Sequence, residues 1–308
     1  MSGSTVSAPP ILIVGSVAFD DLELPSGNAR NVVGGSATYC ALASSLFSRS
    51  RVVAVVGRDF PESVLEDLRE RGVDTSGIER KEGQTFRWAG RYSENLASRT
   101  TLSTELNVFA DFQPKLPQAF TDTAFVLLGN IHPQLQLDVL EQMRSPRFVA
   151  ADTMNFWIEG ERSSLELVLQ RVDALVINDE ELRQLSNEHN LRRAANKVLR
   201  MGPAYVIVKR GEYGAMLFDE SGAFFAPAYP LEDEIDPTGA GDTFAGALIG
   251  YLAQQGEVSR RSLRNGLLIA ATVASFCVED VGTRGLLQLK NSAVADRLRE
   301  IRSLVGVD

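Results

Sequence analysis

Short apolar runs and amphipathic stretches alternate along most of this chain. Ile11–Gly15 is an uninterrupted apolar run ending in glycine, the pattern of a strand buried on both faces. An apolar helical stretch follows Gly34-Gly35 and runs to about Phe47. Arg51–Gly57 predicts the next strand, and Pro61–Arg71 a helix with Val64, Leu65 and Leu68 on one face. From Ala124 the alternation is regular. Strand Ala124–Gly129 leads to helix Gln134–Met143, and strand Arg147–Asp152 to the turn at Thr153. Strand Ala174–Asn178 leads to helix Glu180–Leu185, and helix Arg192–Met201 to strand Tyr205–Lys209. Repeated units of this length predict an α/β fold, a doubly wound and mostly parallel sheet with helices on both faces. The crossovers should be right-handed. Ala215–Phe218 and Ala223–Ala226 read as a short antiparallel addition, and helices around Asp242–Gln254, Arg261–Val278 and Ser292–Leu304 follow. No internal repeat or low-complexity linker interrupts the pattern, so residues 1–308 read as one domain.

One region departs from the alternation. Thr85–Tyr92 and Thr100–Ala110 are rich in Thr, Phe, Trp and Tyr and read as extended segments. An insert of this kind between α/β units is a candidate lid. Its arginines, Arg87, Arg91 and Arg99, either meet a substrate phosphate or sit exposed on an edge strand. The apolar face of such a lid suits a second copy of the chain, so a homodimer through the lid is expected.

Composition narrows the function classes. With 44% hydrophobic and 23% charged residues, the chain can bury a large core and is not disordered. A net charge of −9 argues against nucleic acid or an anionic membrane surface as partner. A nucleotide would have to bind through local features. Cys40 and Cys277, the two cysteines, lie in apolar helical contexts and read as buried free thiols in a reducing compartment. The first ten residues lack the basic start and apolar run of a signal peptide, and no apolar run reaches membrane-spanning length. A cytoplasmic protein is expected. There is no G-x-x-x-x-G-K-[ST] loop, H-R-D loop, C-x-x-C or H-E-x-x-H, and His132 and His189 are far apart. The dinucleotide fingerprint is also missing, since Gly15 is followed by Ser16-Val17-Ala18-Phe19.

The densest chemistry lies in Asp236-Pro237-Thr238-Gly239-Ala240-Gly241-Asp242-Thr243-Phe244. Phe244, Leu248, Tyr251 and Leu252 then recur at helical spacing. A glycine-rich turn should therefore open a helix near Asp242, with free N–H groups and the helix dipole forming an anion site. A carboxylate beside such a site repels the anion unless it handles a proton. Asp242 thus reads as the general base of a phosphoryl transfer, kept ionised by the dipole. The plainer alternative makes Asp242 the N-cap of the helix.

Asp236 through Ile249 is similar, position by position, to the C-terminal signature of the PfkB/ribokinase family of carbohydrate and nucleoside kinases. The resemblance implies an ATP-dependent kinase that moves a γ-phosphoryl group to a hydroxyl of a sugar, with Mg²⁺ as cofactor. It implies that the lid joins about 22–33 to 84–108. Asp242 would take the proton, with the N–H groups of Gly239, Ala240 and Gly241 stabilising developing charge. Asp20, five residues after Gly15, would hold the acceptor with Gly34, Gly35 and Asn155. Asn178, Lys209, Gly211 and Gly214 would contact the nucleotide. Asn178 and Glu181 match an N-x-x-E motif, with Glu181 acting on Mg²⁺ through water. Asp236 and Thr238 fall where some members hold a monovalent cation such as K⁺. The pattern is broken at Tyr39, where many members carry Asn, and at Phe156-Trp157, where an Arg follows the Asp and Asn of several sugar kinases. Lys209 stands where Thr is common, facing either the phosphates or Glu212. Because Asp20 would repel an anion, the expected acceptor is a neutral sugar first and a nucleoside second. A non-catalytic sugar or nucleotide sensor on the same scaffold is the competing class.

Overall fold

Alternate residues of the apolar runs face opposite sides of one sheet, so both sides need covering. The computed structural model, which describes residues 8–306, shows how this is met. The reading of the first ten residues as lacking a signal peptide lies, up to residue 7, outside the described residues. The strands are β1 (Ile11–Val14), β2 (Ala18–Leu24), β3 (Gly27–Gly34), β4 (Ser50–Val56), β5 (Val73–Arg80), β6 (Phe86–Tyr92), β7 (Arg99–Glu105), β8 (Phe125–Leu128), β9 (Phe148–Asp152), β10 (Ala174–Asn178), β11 (Tyr205–Lys209), β12 (Ala215–Asp219) and β13 (Gly222–Ala226). The helices are α1 (Ser36–Ser44), α2 (Glu62–Glu70), α3 (Pro133–Gln142), α4 (Asn155–Gly160), α5 (Arg162–Leu169), α6 (Asp179–Ser186), α7 (Leu191–Leu199), α8 (Ala240–Gln255), α9 (Arg260–Val278), α10 (Arg284–Gln288) and α11 (Asn291–Leu304).

The main sheet runs β13-β12-β11-β10-β9-β8-β1-β4-β5. It is parallel from β11 to β5, and β12 and β13 add antiparallel at one edge. On one face Ile11 and Ile13 pack with α1, α8 and α9 residues such as Ala41, Leu248 and Leu267. On the other, Leu12 and Val14 pack with α3 residues Leu137 and Leu140. Chain order reverses between β1 and β8, which opens a crevice at the carboxyl ends of the strands.

A second sheet, β3-β2-β6-β7, stands apart from the first and forms the expected lid. Leu22, Leu24 and Tyr92 are its buried core, with Leu96 and Val281 packed against them. The expected strand Thr100–Ala110 ends at Glu105. Asn107 adopts a positive φ of 49°, and a 3-10 turn over Asn107–Phe109 brings Phe109 against Phe86 and Phe112. Burial of aromatic surface outweighs continued pairing on an exposed edge. Among the described residues no helix is long and apolar enough to cross a membrane.

Candidate active site

The glycine-rich turn is built as a rigid cradle. Gly239, at φ 76°, is the N-cap of α8, and no side chain caps the helix. The helix starts two residues earlier than expected, so Asp242 is its third residue and the reading of Asp242 as cap is wrong. The Ala240 N–H bonds Pro237 O at 3.2 Å and the Thr243 N–H bonds Gly239 O at 2.8 Å. That leaves the Gly241 and Asp242 N–H groups between them facing outward, the arrangement an anion needs. A Cβ on Gly239 would lie 2.4 Å from the Tyr39 ring. Tyr39 is buried and is the floor beneath the turn, which explains a bulky residue where an amide was expected.

Asp236 holds the turn from behind. It is fully buried, and its two oxygens accept the N–H groups of Thr238 at 2.9 Å and Gly282 at 2.8 Å. Thr238 Oγ1 lies 2.8 Å from the hydroxyl of Tyr92, a lid residue. The side chains that resemblance assigns to a monovalent cation are thus engaged in tying the turn to the α9–α10 segment and to the lid. Both cysteines are buried and free, and both donate to backbone carbonyls here: Cys40 to Asp242 at 3.2 Å and Cys277 to Thr238 at 3.6 Å.

Three strand ends deliver charge to the same place. Lys209 Nζ, at the end of β11, bonds Asp152 Oδ2, at the end of β9, at 2.8 Å. The alternative pairing with Glu212 is not made, because Glu212 is turned out on the surface. The same ammonium lies 3.0 Å from where a Cβ on Gly241 would sit, at the mouth of the cradle. Asn178 and Glu181 form a capping box: the Glu181 N–H donates to Asn178 Oδ1 at 2.8 Å, and the Asn178 N–H donates to Glu181 Oε2 at 3.1 Å. Such a box satisfies helix-end donors locally. It also holds the Glu181 carboxylate near Lys209 and Asp152, and desolvation raises its pKa to about 6. Asn155 does not join this group. It opens α4, three residues after Asp152, with its side chain exposed.

The ionisation of Asp242 differs from the expectation. The dipole of α8 favours its charged form, but loss of water outweighs that, and the nearby Asp152 carboxylate adds to the effect. Together they raise its pKa to about 7, against the opposing charges of Lys209 and Arg99. A base poised near neutral pH is well matched to proton transfer.

On the acceptor side, Asp20 is only 4% exposed. A Cβ on Gly34 would lie 2.0 Å from Asp20 Oδ2, so glycine at 34 makes room for this carboxylate. Gly35, at φ 89°, packs against the Ser16 carbonyl. Ser16 and Ser36 exchange N–H···Oγ bonds of 3.1 Å, which fixes the β1–β2 turn against α1. The glycine pair is therefore required by neighbouring protein atoms. Burial, then Asp236 and Asp242, raise the pKa of Asp20 to about 8. Ligand-free Asp20 thus holds its proton well above the usual carboxylate range, which weakens the argument that its charge repels an anionic acceptor. Its carboxylate destabilises the fold as pH rises from the ordinary value towards 8, and this penalty is absent below about pH 4. Asp20→Asn should therefore melt several degrees above the wild type at pH 8, by roughly 5 °C, with the gap closing towards pH 4. Differential scanning calorimetry of the ligand-free proteins checks this, and identical pH slopes would refute it.

The lid arginines divide. Arg87 bonds Asn31 Oδ1 at 2.7 Å and pairs with Asp59 at 3.7 Å. Arg91 pairs with Glu23 at 2.5 Å. Arg99 lies over the Trp88 ring, 5.4 Å from its centroid.

A cavity of about 690 Å³ opens beside the cradle, lined on one side by Asn178, Lys209, Gly211 and Gly241. Asn95, Leu96 and Ala97 at the lid tip form part of its rim. Gly211, at φ 54°, has open space where a Cβ would be, whereas Gly214 abuts the Ala226 carbonyl. A triphosphate fits this donor set: outward N–H groups, an ammonium and a glycine-lined wall. Among the described residues no three His, Cys, Asp or Glu side chains cluster around a metal position. Mg²⁺ there would draw its oxygens mainly from phosphate and water, with Glu181 the carboxylate at hand.

The family model described as pfkB family carbohydrate kinase matches residues 4–289. A cytidine kinase of Thermococcus kodakarensis is 28% identical over 264 residues, covering 83% of this chain and 93% of its own. A 2-dehydro-3-deoxygluconokinase of Thermoproteus tenax is 25% identical over 301 residues, covering 90% and 87%. Among solved structures, a Burkholderia thailandensis nucleoside kinase in complex with inosine superposes with a TM-score of 0.79 at 17% identity, over 95% of this chain and 99% of that one.

Proposed function

Because this chain belongs to the PfkB family of carbohydrate kinases, we propose that it transfers the γ-phosphoryl group of ATP to a hydroxyl of a small sugar, with Asp242 taking the proton. The observation that carries this reading is the placement of Asp242 between two half-sites. On one side is the cradle of outward N–H groups with Lys209. On the other is Asp20, buried against Gly34 at the β1–β2 turn, with a carboxyl that feels the Asp242 charge.

Phosphoryl transfer needs little covalent help, so positioning and electrostatics dominate. Asp20 and the β1–β2 turn hold the acceptor. Asp242 accepts the hydroxyl proton as the new P–O bond forms. The bond from the γ-phosphorus to the bridging oxygen of ADP breaks, and ADP leaves with the electron pair. The cradle N–H groups and Lys209 stabilise charge on the transferring oxygens. Bound Mg²⁺ would neutralise phosphate charge, with Glu181 reaching it through water.

The second reading, a nucleoside as acceptor, is favoured by the similarity to a cytidine kinase. An acceptor panel of pentoses, hexoses, sugar acids, phosphosugars and nucleosides, read by ADP release, ranks the classes by kcat/KM. We expect a free sugar to lead. A nucleoside at the head of the panel would replace that assignment, and ATP binding without turnover on any acceptor would favour a sensor.

A further inference from the structure

We infer that Arg99 is a catalytic residue, a guanidinium carried by the lid to the phosphoryl group in transfer. The inference rests on the phosphotransferase reading above and adds to it a group from outside the main sheet.

Tyr92 on β6 and Arg99 on β7 are direct antiparallel partners, so their side chains project from the same face of the lid. Tyr92 defines which face that is, since its hydroxyl reaches Thr238 in the cradle turn at 2.8 Å. Arg99 therefore faces the cleft. Between the two residues the hairpin turns through Asn95–Ala97, which rims the cavity beside the cradle. The segment leading into Arg99 is thus held at the cleft wall, while β7 itself is exposed along its length.

Its bonding state is equally telling. The other two lid arginines have carboxylate partners, Arg87 with Asp59 and Arg91 with Glu23. Among the described residues Arg99 has none within 4.0 Å, and it packs on Trp88 instead. Stacking on an indole orients a guanidinium without neutralising it. An exposed, unneutralised guanidinium on the cleft side of the lid is available to an anion.

Two anions are conceivable, a charged group on the acceptor or the phosphoryl in transfer. The strand partner of Arg99 favours the second, because Tyr92 meets Thr238 within the cradle turn itself. The Arg99 charge opposes the upward pKa shifts of Asp20, Asp242 and Glu181 alike. These three span the acceptor side, the base and the nucleotide side. A cation felt by all three, on the lid face that meets the cradle turn, is placed to serve the phosphoryl in transfer. Arg99 forms no covalent bond and moves no proton. It adds two directed donors to oxygens that gain charge as the phosphoryl passes.

The test compares Arg99→Met, Arg99→Lys and, as a control on the outer pair, Arg91→Met, with kcat and KM for a neutral acceptor. Loss of one preorganised donor group should lower kcat of Arg99→Met by about 100-fold or more, with acceptor KM changed less than about 3-fold. Arg99→Lys should recover only part of the rate, and added guanidinium should partly rescue Arg99→Met. Arg91→Met should match the wild type. Rescue by guanidinium separates lost chemistry from lost folding. An active wild type with unchanged kcat in Arg99→Met, or a loss confined to acceptor KM, overturns the inference alone. A wild type that turns over no acceptor overturns the kinase reading with it.

Discussion

Asp242→Asn is expected to lower kcat by about 10²–10⁴-fold or more while leaving the protein folded. The amide keeps the shape of the carboxyl group and cannot take a proton. Stability should hold or rise, for two reasons. The cap of α8 is the Gly239 backbone and no side chain caps the helix, so no cap is lost. The carboxylate itself is disfavoured where it sits, with burial and Asp152 raising its pKa to about 7. The folded state thus holds a proton that the unfolded chain has released, and stability falls as pH rises through that range. The neutral amide removes this term, so the variant should melt at or above the wild type at pH 8. ATP should bind as well or slightly better, since a negative charge beside the phosphates is gone. Steady-state kinetics with melting curves, with and without ATP, separate these effects. A variant that unfolds early, or turns over near the wild-type rate, would mean that Asp242 is structural.

Gly239→Ala should damage both fold and activity. At φ 76° an L-residue costs about 1–2 kcal/mol. The added methyl would stand 2.4 Å from ring atoms of Tyr39, and relieving such overpacking costs a further 1–3 kcal/mol, roughly. The ring cannot simply withdraw, because it is buried against α8 and its neighbours. The turn has to move instead, taking Gly241 and Asp242 with it, and a displacement of about 1 Å is enough for a ~10²-fold loss of rate. Urea denaturation should show a lower midpoint at unchanged slope. Combining Gly239→Ala with Tyr39→Ala should show non-additive stability, the second change relieving part of the clash caused by the first. Strict additivity, or a single variant as stable as the wild type, would mean that Tyr39 does not set the turn.

The fold was legible because its strands are continuous apolar runs closed by glycine or a polar residue, as at Ile11–Gly15 and Ala174–Asn178. Several elements escaped, among them β5, α4, α5 and the short α10. β5 (VDTSGIER) buries little beyond Val73, Thr75 and a partly covered Ile78, and it forms the sheet edge beyond β4. Its sequence is that of a polar surface, and only pairing with β4 makes it a strand. Helices α4 and α5 are short and meet at Glu161, which leaves neither with a full periodic pattern. At the site, the signature around Asp242 located the glycine-rich turn that opens α8, and the structure brings Asp20, Asn178, Glu181 and Lys209 towards it. What the sequence could not show is burial. The raised pKa values of Asp20 and Asp242 come from removal of water by segments far apart in the chain. Nor could the sequence show that the Gly282 N–H, 46 residues downstream, is one of the two donors that fix Asp236. The partner of Lys209 was equally hidden, since Asp152 lies 57 residues away. Asn155 also follows a site strand, but its backbone begins a helix and its side chain is exposed.

The central claim is that Asp242 takes the acceptor's proton. The most direct test is the single-turnover rate of phosphoryl transfer from ATP to saturating acceptor, followed from about pH 5 to pH 9 in the wild type and in Asp242→Asn. The account predicts a wild-type rate that rises with pH through a limb near the raised pKa of about 7 and then levels. It predicts a low, flat profile for the asparagine variant. A variant that retains both the wild-type rate and the same limb would contradict it.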